Sequence, residues 1–302
     1  VTLFIAFAIK VPIVPFHTWL PDAHVEAPTP ISMILAGILL KVGAYGIIRI
    51  CYGIFPEMAL HLAFPIGIIG VISIIYGGLN ALAQKDLKRM IAYSSVSHMG
   101  FVILGIASLT AEGLNGAIYQ MVSHGILSPM LFFCVGIIYV RTKERNIDAF
   151  KGLNSVMPKF TFFVGLAFFA SLGLPGFSGF IGEMLTLLGA FISDGVNSLL
   201  PRWMAMVSIL GILLGAGYFL WTFQRMFLGP FWIKNSEWKE KLQDLKAVEW
   251  AVLTPLALLT LVLGIAPNLI FGLSENAVFS LIENIMSEGR ENLNMMNYLF
   301  KW

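Results

Sequence analysis

The chain has 302 residues, a formal charge of +2, 58% hydrophobic residues and 12% charged ones, with a mean hydropathy of +0.83. A soluble domain carries roughly 25% charged residues, so this composition excludes a soluble catalytic domain, while the formal charge says little by itself and no nucleic-acid partner is expected. The composition describes an all-α polytopic membrane protein whose solvent is the lipid bilayer.

Apolar windows of about 20 residues, bounded by charge, Pro and Gly, predict eight spans. They fall at 1–20, 31–52, 62–84, 88–108, 111–140, 159–193, 203–228 and 248–272. The first begins inside an apolar run at Val1 and carries Lys10, followed by Val11-Pro12-Ile13-Val14-Pro15. That start has the look of a truncation, and the run is too long, and too interrupted by lysine, for a signal peptide. The run 159–193 exceeds the length of one straight span and holds Gly173-Leu174-Pro175-Gly176-Phe177-Ser178-Gly179 at its middle. It is read as two half-helices around an unwound linker. Pro and Gly free backbone groups that lipid cannot satisfy, so two broken spans imply protein or water around them. Such pairs mark ion sites in several transporters; kinking for packing alone is the ordinary alternative.

Lys and Arg divide unevenly between the two sides. Lys85, Lys88, Arg89, Arg141, Lys143, Arg145, Lys151, Lys159, Arg225, Lys234, Lys239, Lys241 and Lys246 fall on one side, against Arg49, Arg202, Arg290 and Lys301 on the other. The positive-inside rule makes the first side cytoplasmic, or matrix-facing in an organelle, and places the loop 21–30 there too. Residues 1–272 form the bundle. Residues 273–302 form a tail in which Val278, Leu281, Ile282 and Ile285 recur at helical spacing, read as an amphipathic helix on the outer surface or against a partner.

Five ionisable groups occupy mid-span positions: Lys10, Lys41, His98, His124 and Glu183. A central group lies about 15 Å from either surface of a core roughly 30 Å thick, too deep to snorkel. Its insertion costs at least about 2.5 kcal/mol. Gln120, His124 and Ser128 share one helix face, Ser94 and Ser95 stand one turn before His98, and Tyr45 one turn after Lys41. Imidazole can accept a proton at one nitrogen and release one from the other. Any single group here can be a structural hydrogen-bonding residue, but five in five spans favour a proton path.

Redox and metal signals are absent from the pattern. Cys51 and Cys134 have no second ligand at useful spacing and read as small buried residues. No iron–sulfur, dinucleotide or phosphate-loop motif occurs. His17 and His24 flank Asp22 without a ligand-spaced set and are read as capping or interfacial residues.

The segment from Lys10-Val11-Pro12-Ile13-Val14-Pro15-Phe16-His17-Thr18-Trp19-Leu20-Pro21-Asp22-Ala23-His24 through Glu26-Ala27-Pro28-Thr29 to Gly37-Ile38-Leu39-Leu40-Lys41 closely resembles the antiporter-like membrane subunits of respiratory complex I. Asp86-Leu87-Lys88-Arg89-Met90-Ile91-Ala92-Tyr93-Ser94-Ser95-Val96-Ser97-His98-Met99-Gly100 and Gly173-Leu174-Pro175-Gly176-Phe177 resemble the same superfamily. The carboxylate at Glu183 is typical of one branch, whose siblings usually carry lysine there.

The resemblance implies a fourteen-helix antiporter-like fold made of two inverted repeats, with these spans as helices 7 to 14 and a partner glutamate for Lys10 upstream of Val1. It implies Lys10 as the charge-switching lysine, Lys41, His98 and His124 as relays and Glu183 as the terminal group. It also implies proton translocation driven by redox chemistry elsewhere. NADH, FMN, iron–sulfur clusters and quinone belong to partner subunits, with no cofactor bound by this chain. Neighbouring antiporter-like chains and lipid are the partners, and the bacterial inner membrane is the location, or the mitochondrial inner membrane if organellar. A subunit of a cation/proton antiporter or membrane-bound hydrogenase, or a non-conducting scaffold, are the rival readings.

Overall fold

The computed structural model describes residues 1–289 and 291. Two short helices open the chain, α1 (Thr2–Lys10) and α2 (Trp19–Glu26). Next, α3 (Thr29–Ile34) and α4 (Leu40–Gly46) are joined by a wider π-helical stretch, and a second one follows, making a continuous span Thr29–Tyr52. After a short α5 (Pro56–His61) come α6 (Ala63–Ala83), α7 (Leu87–Ala107) and the long α8 (Ala111–Thr142). Then follow α9 (Pro158–Ser171), α10 (Ser178–Val196), α11 (Arg202–Phe227), a small α12 (Trp238–Lys241), α13 (Ala247–Ile265) and α14 (Asn268–Asn284).

Burial ranks the spans. The apolar windows of α7 and α8 are 94% and 78% buried, whereas the remaining long spans lie between 11% and 50%. So α7 and α8 are the axle of the bundle. The others form a surrounding ring whose outward faces carry Ile34, Ile38, Phe162, Leu213 and Leu258, as lipid-facing helices must. Serines populate the buried faces of the axle, Ser94, Ser95 and Ser97 on α7 and Ser123 and Ser128 on α8, with Lys88 buried near the start of α7.

Eight helices among the described residues are long and apolar enough to cross a membrane, and the chain is a multi-pass membrane protein. The set differs from expectation at both ends. The opening span is two half-helices of nine and eight residues, each shorter than a crossing. Part of the expected loop 21–30 is therefore helix, because Pro12 and Pro15 stop one helix and Trp19 starts another. At the other end, Pro267 ends α13 and starts α14, so the terminal helix begins at Asn268, before residue 273. It runs as Asn268–Gly289 and reaches crossing length. Val278, Ile285 and Gly289 are the residues it buries, against α8 and α5. Arg290, Lys301 and the rest of the tail's expected helix lie outside the described residues.

The connections on the cation-rich side are tied down rather than loose. Asp86 caps α7 by accepting from the backbone N–H groups of Lys88 (2.8 Å) and Arg89 (3.1 Å), and its other oxygen pairs with Arg145 at 3.2 Å. Arg89 pairs with Asp22 and Arg225 with Asp148. Arg141, nearly buried, holds both oxygens of Glu249 at 2.9 and 2.6 Å. That bidentate contact fastens the end of α8 to the start of α13. An expectation of helices alone omits one detail here, a two-residue antiparallel strand pair in which Phe150 faces Ile233 and Lys151 faces Trp232. Two loops running past each other satisfy their backbone groups this way.

Candidate functional site

Depth along the helices brings the polar groups to one level. Lys41, His98 and His124 stand twelve, eleven and thirteen residues beyond the first residues of their spans, Thr29, Leu87 and Ala111. At ~1.5 Å per residue each is about 17–20 Å in. Glu183 is near the start of α10, yet the fourteen-residue α9 supplies about 21 Å of the same crossing before it. The break between these half-helices is what puts a helix terminus, and this carboxylate, at mid-depth.

The linker that makes the break is built on Gly173 and Gly176, both in the left-handed region with φ of +81° and +96°. A Cβ on Gly173 would lie 2.8 Å from Glu183 Oε2, so the glycine also makes room for the carboxylate. Opposite, Gly182 leaves space for the side chain of Gln120. Close approach of α8 and α10 follows, and it delivers Glu183 to the axle.

Two short contacts form the site. Lys41 Nζ donates to the Ala36 carbonyl at 2.6 Å and lies 2.6 Å from His124 Nδ1. A protonated lysine can only donate, which makes Nδ1 the acceptor and leaves Nε2–H of His124 to donate to Ser95 Oγ at 3.1 Å. Ser95 passes its own proton to the Ile91 carbonyl at 3.2 Å. Once Lys41 is neutral its lone pair can accept instead, and the imidazole can change tautomer. The proton site between the two side chains is thus shared.

The second contact joins His98 Nδ1 to Glu183 Oε1 at 3.0 Å, with both side chains nearly inaccessible. Imidazolium–carboxylate and imidazole–carboxylic acid are two states of this pair, related by moving one proton across the hydrogen bond. Gln120 Nε2 approaches the same Nδ1 at 3.5 Å, the outer limit of a useful bond, so Glu183 is the ring's partner. The rings of His98 and His124 lie 5.5 Å apart between centroids. Both border a narrow cavity with Ser94, Gln120, Ser128 and Ser171, whose room for water centres is ≈ 10 Å³, about one molecule. His98 Nε2, Gln120 Oε1 and Ser171 Oγ are buried there without partners.

Four of the five expected residues are therefore brought together, from four different helices. Lys10 is the exception. It terminates α1 and is exposed, although its Cβ lies against Gly43, two residues beyond Lys41. Its expected burial at mid-span is not what the structure shows, because α1 ends there and no helix of the described residues covers that face. Tyr45, expected to support Lys41, points outward and is exposed. The stem of Lys41 itself borders an open apolar groove with Gly37, Val42 and Tyr45 while its head turns inward. His17 and His24 depart from their expected interfacial setting, since both are buried. The helix α2, unseen in the sequence pattern, carries His24 inside.

Among the described residues no group of three or more His, Cys, Asp or Glu side chains is placed to hold a metal, and Cys51 and Cys134 are free thiols. The site consists of exchangeable protons in low-dielectric surroundings.

Comparison with known proteins adds lineage. The family described as "NADH:quinone oxidoreductase/Mrp antiporter, TM" matches residues 1–207. The chain is 48% identical over 266 residues to NADH-quinone oxidoreductase subunit M of Rickettsia prowazekii, covering 88% of this chain and 52% of that protein. It is 45% identical over 267 residues to NADH-ubiquinone oxidoreductase chain 4 of Chondrus crispus, with the same coverages of 88% and 52%. It thus spans about half the length of these curated relatives. A chain of respiratory complex I from Thermus thermophilus superposes with a TM-score of 0.84 at 32% identity, over 94% of this chain and 58% of that one. A chain of the Mrp complex from Dietzia sp. DQ12-45-1b superposes with a TM-score of 0.82 at 22% identity, over 94% and 60%. At that identity the likeness concerns the fold.

Proposed function

Because the chain belongs to the NADH:quinone oxidoreductase/Mrp antiporter membrane family, we propose that it carries protons through the bilayer as part of a membrane-arm subunit of NADH:quinone oxidoreductase, of the subunit M type. NADH oxidation and quinone reduction take place in other subunits, which hold the nucleotide, flavin, iron–sulfur clusters and quinone. Neighbouring antiporter-like chains and lipid surround it, in a bacterial inner membrane.

The observation that supports this reading best is the Lys41–His124 contact at 2.6 Å standing one ring away from the His98–Glu183 contact at 3.0 Å. Each contact is a donor–acceptor pair able to exist in two protonation states. Between them lie three serines, an amide and space for about one water. A proton released by Lys41 to His124 reaches Ser95 and the cavity; a proton taken by His98 from the cavity side is handed to Glu183. Moving positive charge toward Lys41 from its neighbours disfavours the ammonium form and starts the sequence. Glu183, beside the glycine linker, is the group from which the proton leaves. Lys10 enters the proposal as the lysine whose charge acts on Lys41 from the adjoining half-helix.

The test uses the full-length subunit assembled in its complex in membrane vesicles. Lys41→Ala, Lys10→Ala and Glu183→Ala are each expected to lower NADH-driven proton uptake by at least about tenfold and to slow quinone reduction with it, while the complex still assembles. Normal pumping in assembled Lys41→Ala and Glu183→Ala complexes removes the proposal and leaves a scaffold.

A further inference from the structure

Three residues with buried polar atoms that lack hydrogen-bond partners line one small cavity, and we infer that one of them, Ser171, positions a single water there that hands its proton to His98 Nε2. This inference rests on the proposed proton-carrying function and names the positioning residue of its central step.

Ser171 is the last residue of α9 and is 3% exposed. A serine in an apolar helix ordinarily gives its proton to a carbonyl of the preceding turn. Ser94 and Ser128, the other serines lining the cavity, do so, donating to the Ile91 carbonyl at 2.8 Å and to the His124 carbonyl at 2.6 Å. Their protons are committed. Ser171 Oγ has no such bond, and a hydroxyl buried without a partner loses its hydration without return. Packing therefore does not account for a serine here, since alanine fills nearly the same volume.

His98 of α7 and Gln120 of α8 supply the other two free atoms, Nε2 and Oε1. When Glu183 is a carboxylate, its partner Nδ1 carries the ring proton and Nε2 is left as an acceptor. Gln120 Oε1 is an acceptor as well, and the Ser171 hydroxyl is a donor. One water matches this set. It accepts from Ser171 and donates to Nε2 and to Oε1, and the cavity has room for about one molecule. Such a count, about three bonds, is what a buried water commonly makes. Gly179, which lines the same cavity, lets the end of α9 come close: a Cβ there would lie 2.2 Å from the carbonyl oxygen of Ala170, the residue before Ser171. The break between the half-helices thus places the hydroxyl as well as the carboxylate. The step is balanced: an O–H bond of the water breaks as Nε2–H forms, and Nδ1–H breaks as the Glu183 Oε1–H bond forms. The proton released by the Lys41–His124 pair, whose imidazole borders the same cavity, restores the water.

The test uses the full-length subunit in its complex, read by water density in a high-resolution map and by the rate of NADH-driven proton uptake in vesicles. The native complex is expected to show one ordered water within hydrogen-bonding distance of both Ser171 Oγ and His98 Nε2, and a map without it overturns the inference. Ser171→Ala is expected to take up protons about tenfold more slowly in a complex of normal abundance; an unchanged rate also overturns the inference. Ser171→Thr and Ser171→Val share one shape and differ in the hydroxyl, so the threonine variant is expected to pump several-fold faster. Equal rates in that pair mean that the position only packs. If Ser171→Ala does not assemble, the native map and the threonine–valine pair decide. Lys41→Ala run alongside separates the two levels: its loss of pumping beside an unimpaired Ser171→Ala complex rejects this water and leaves the proposed function standing. Intact pumping in Lys41→Ala as well rejects that function itself.

Discussion

Lys41 and His124 meet at 2.6 Å with a carbonyl, Ala36, on the other side of the ammonium. A group held so tightly has one degree of freedom left, whether the proton is present. Glu183 is in the same position: Gly173 abuts one of its oxygens and His98 the other. Shortening the side chain by one methylene keeps the charge and lengthens the hydrogen bond. Glu183→Asp is therefore expected to pump at a rate between the native complex and Glu183→Ala, which is about tenfold or more below native. Proton uptake by vesicles measures this. An aspartate as inactive as alanine means that the position of the carboxylate matters more than its charge.

At the scale of elements, the ends of the helices do as much as their middles. The α7 helix carries Ser95 and His98, and its start is fixed by Asp86, which accepts two backbone N–H groups and pairs with Arg145. Removing such a cap costs about 1 kcal/mol. Asp86→Ala is expected to lower the thermal midpoint of the purified complex's membrane arm while leaving the Lys41–His124 contact intact; an unchanged midpoint shows that water replaces the cap. The α9–α10 break is a second case. Its glycines were legible in the sequence because positive φ favours residues without a Cβ. The opening break was legible from its prolines, yet the extent of α2 was not: Pro21-Asp22-Ala23-His24 reads as the start of a loop until its burial is known. Terminal α14 was misplaced by several residues, since Pro267 both ends one helix and begins the next, a use of proline at a first helical turn that apolar windows smooth over.

For the whole molecule, the distribution of cations predicts an orientation, with the cation-rich side cytoplasmic. Ser236 is exposed between Lys234 and Lys239 on the cation-rich side, and Ser198 is exposed on the opposite side. The 26-residue α11 between them spans about 39 Å. In an otherwise cysteine-inert complex, Ser236→Cys is expected to react with an impermeant thiol reagent from the cytoplasmic face and Ser198→Cys from the outer face. The reverse labelling pattern inverts the topology.

The amino-acid sequence alone determined that the chain is a helical membrane protein and where most of its spans lie. Hydrophobicity, charge and turn chemistry are local quantities, so a window of residues is enough to read them. Only the tertiary structure decided which of the ionisable groups touch. It joined Lys41 to His124 and His98 to Glu183, left Lys10 exposed at the end of α1, turned Tyr45 outward and drew His24 into the interior. Which face of a helix meets which neighbour depends on the approach of segments 83 to 85 residues apart, set here by glycines that let α8 and α10 close together, and no short stretch of sequence carries that information.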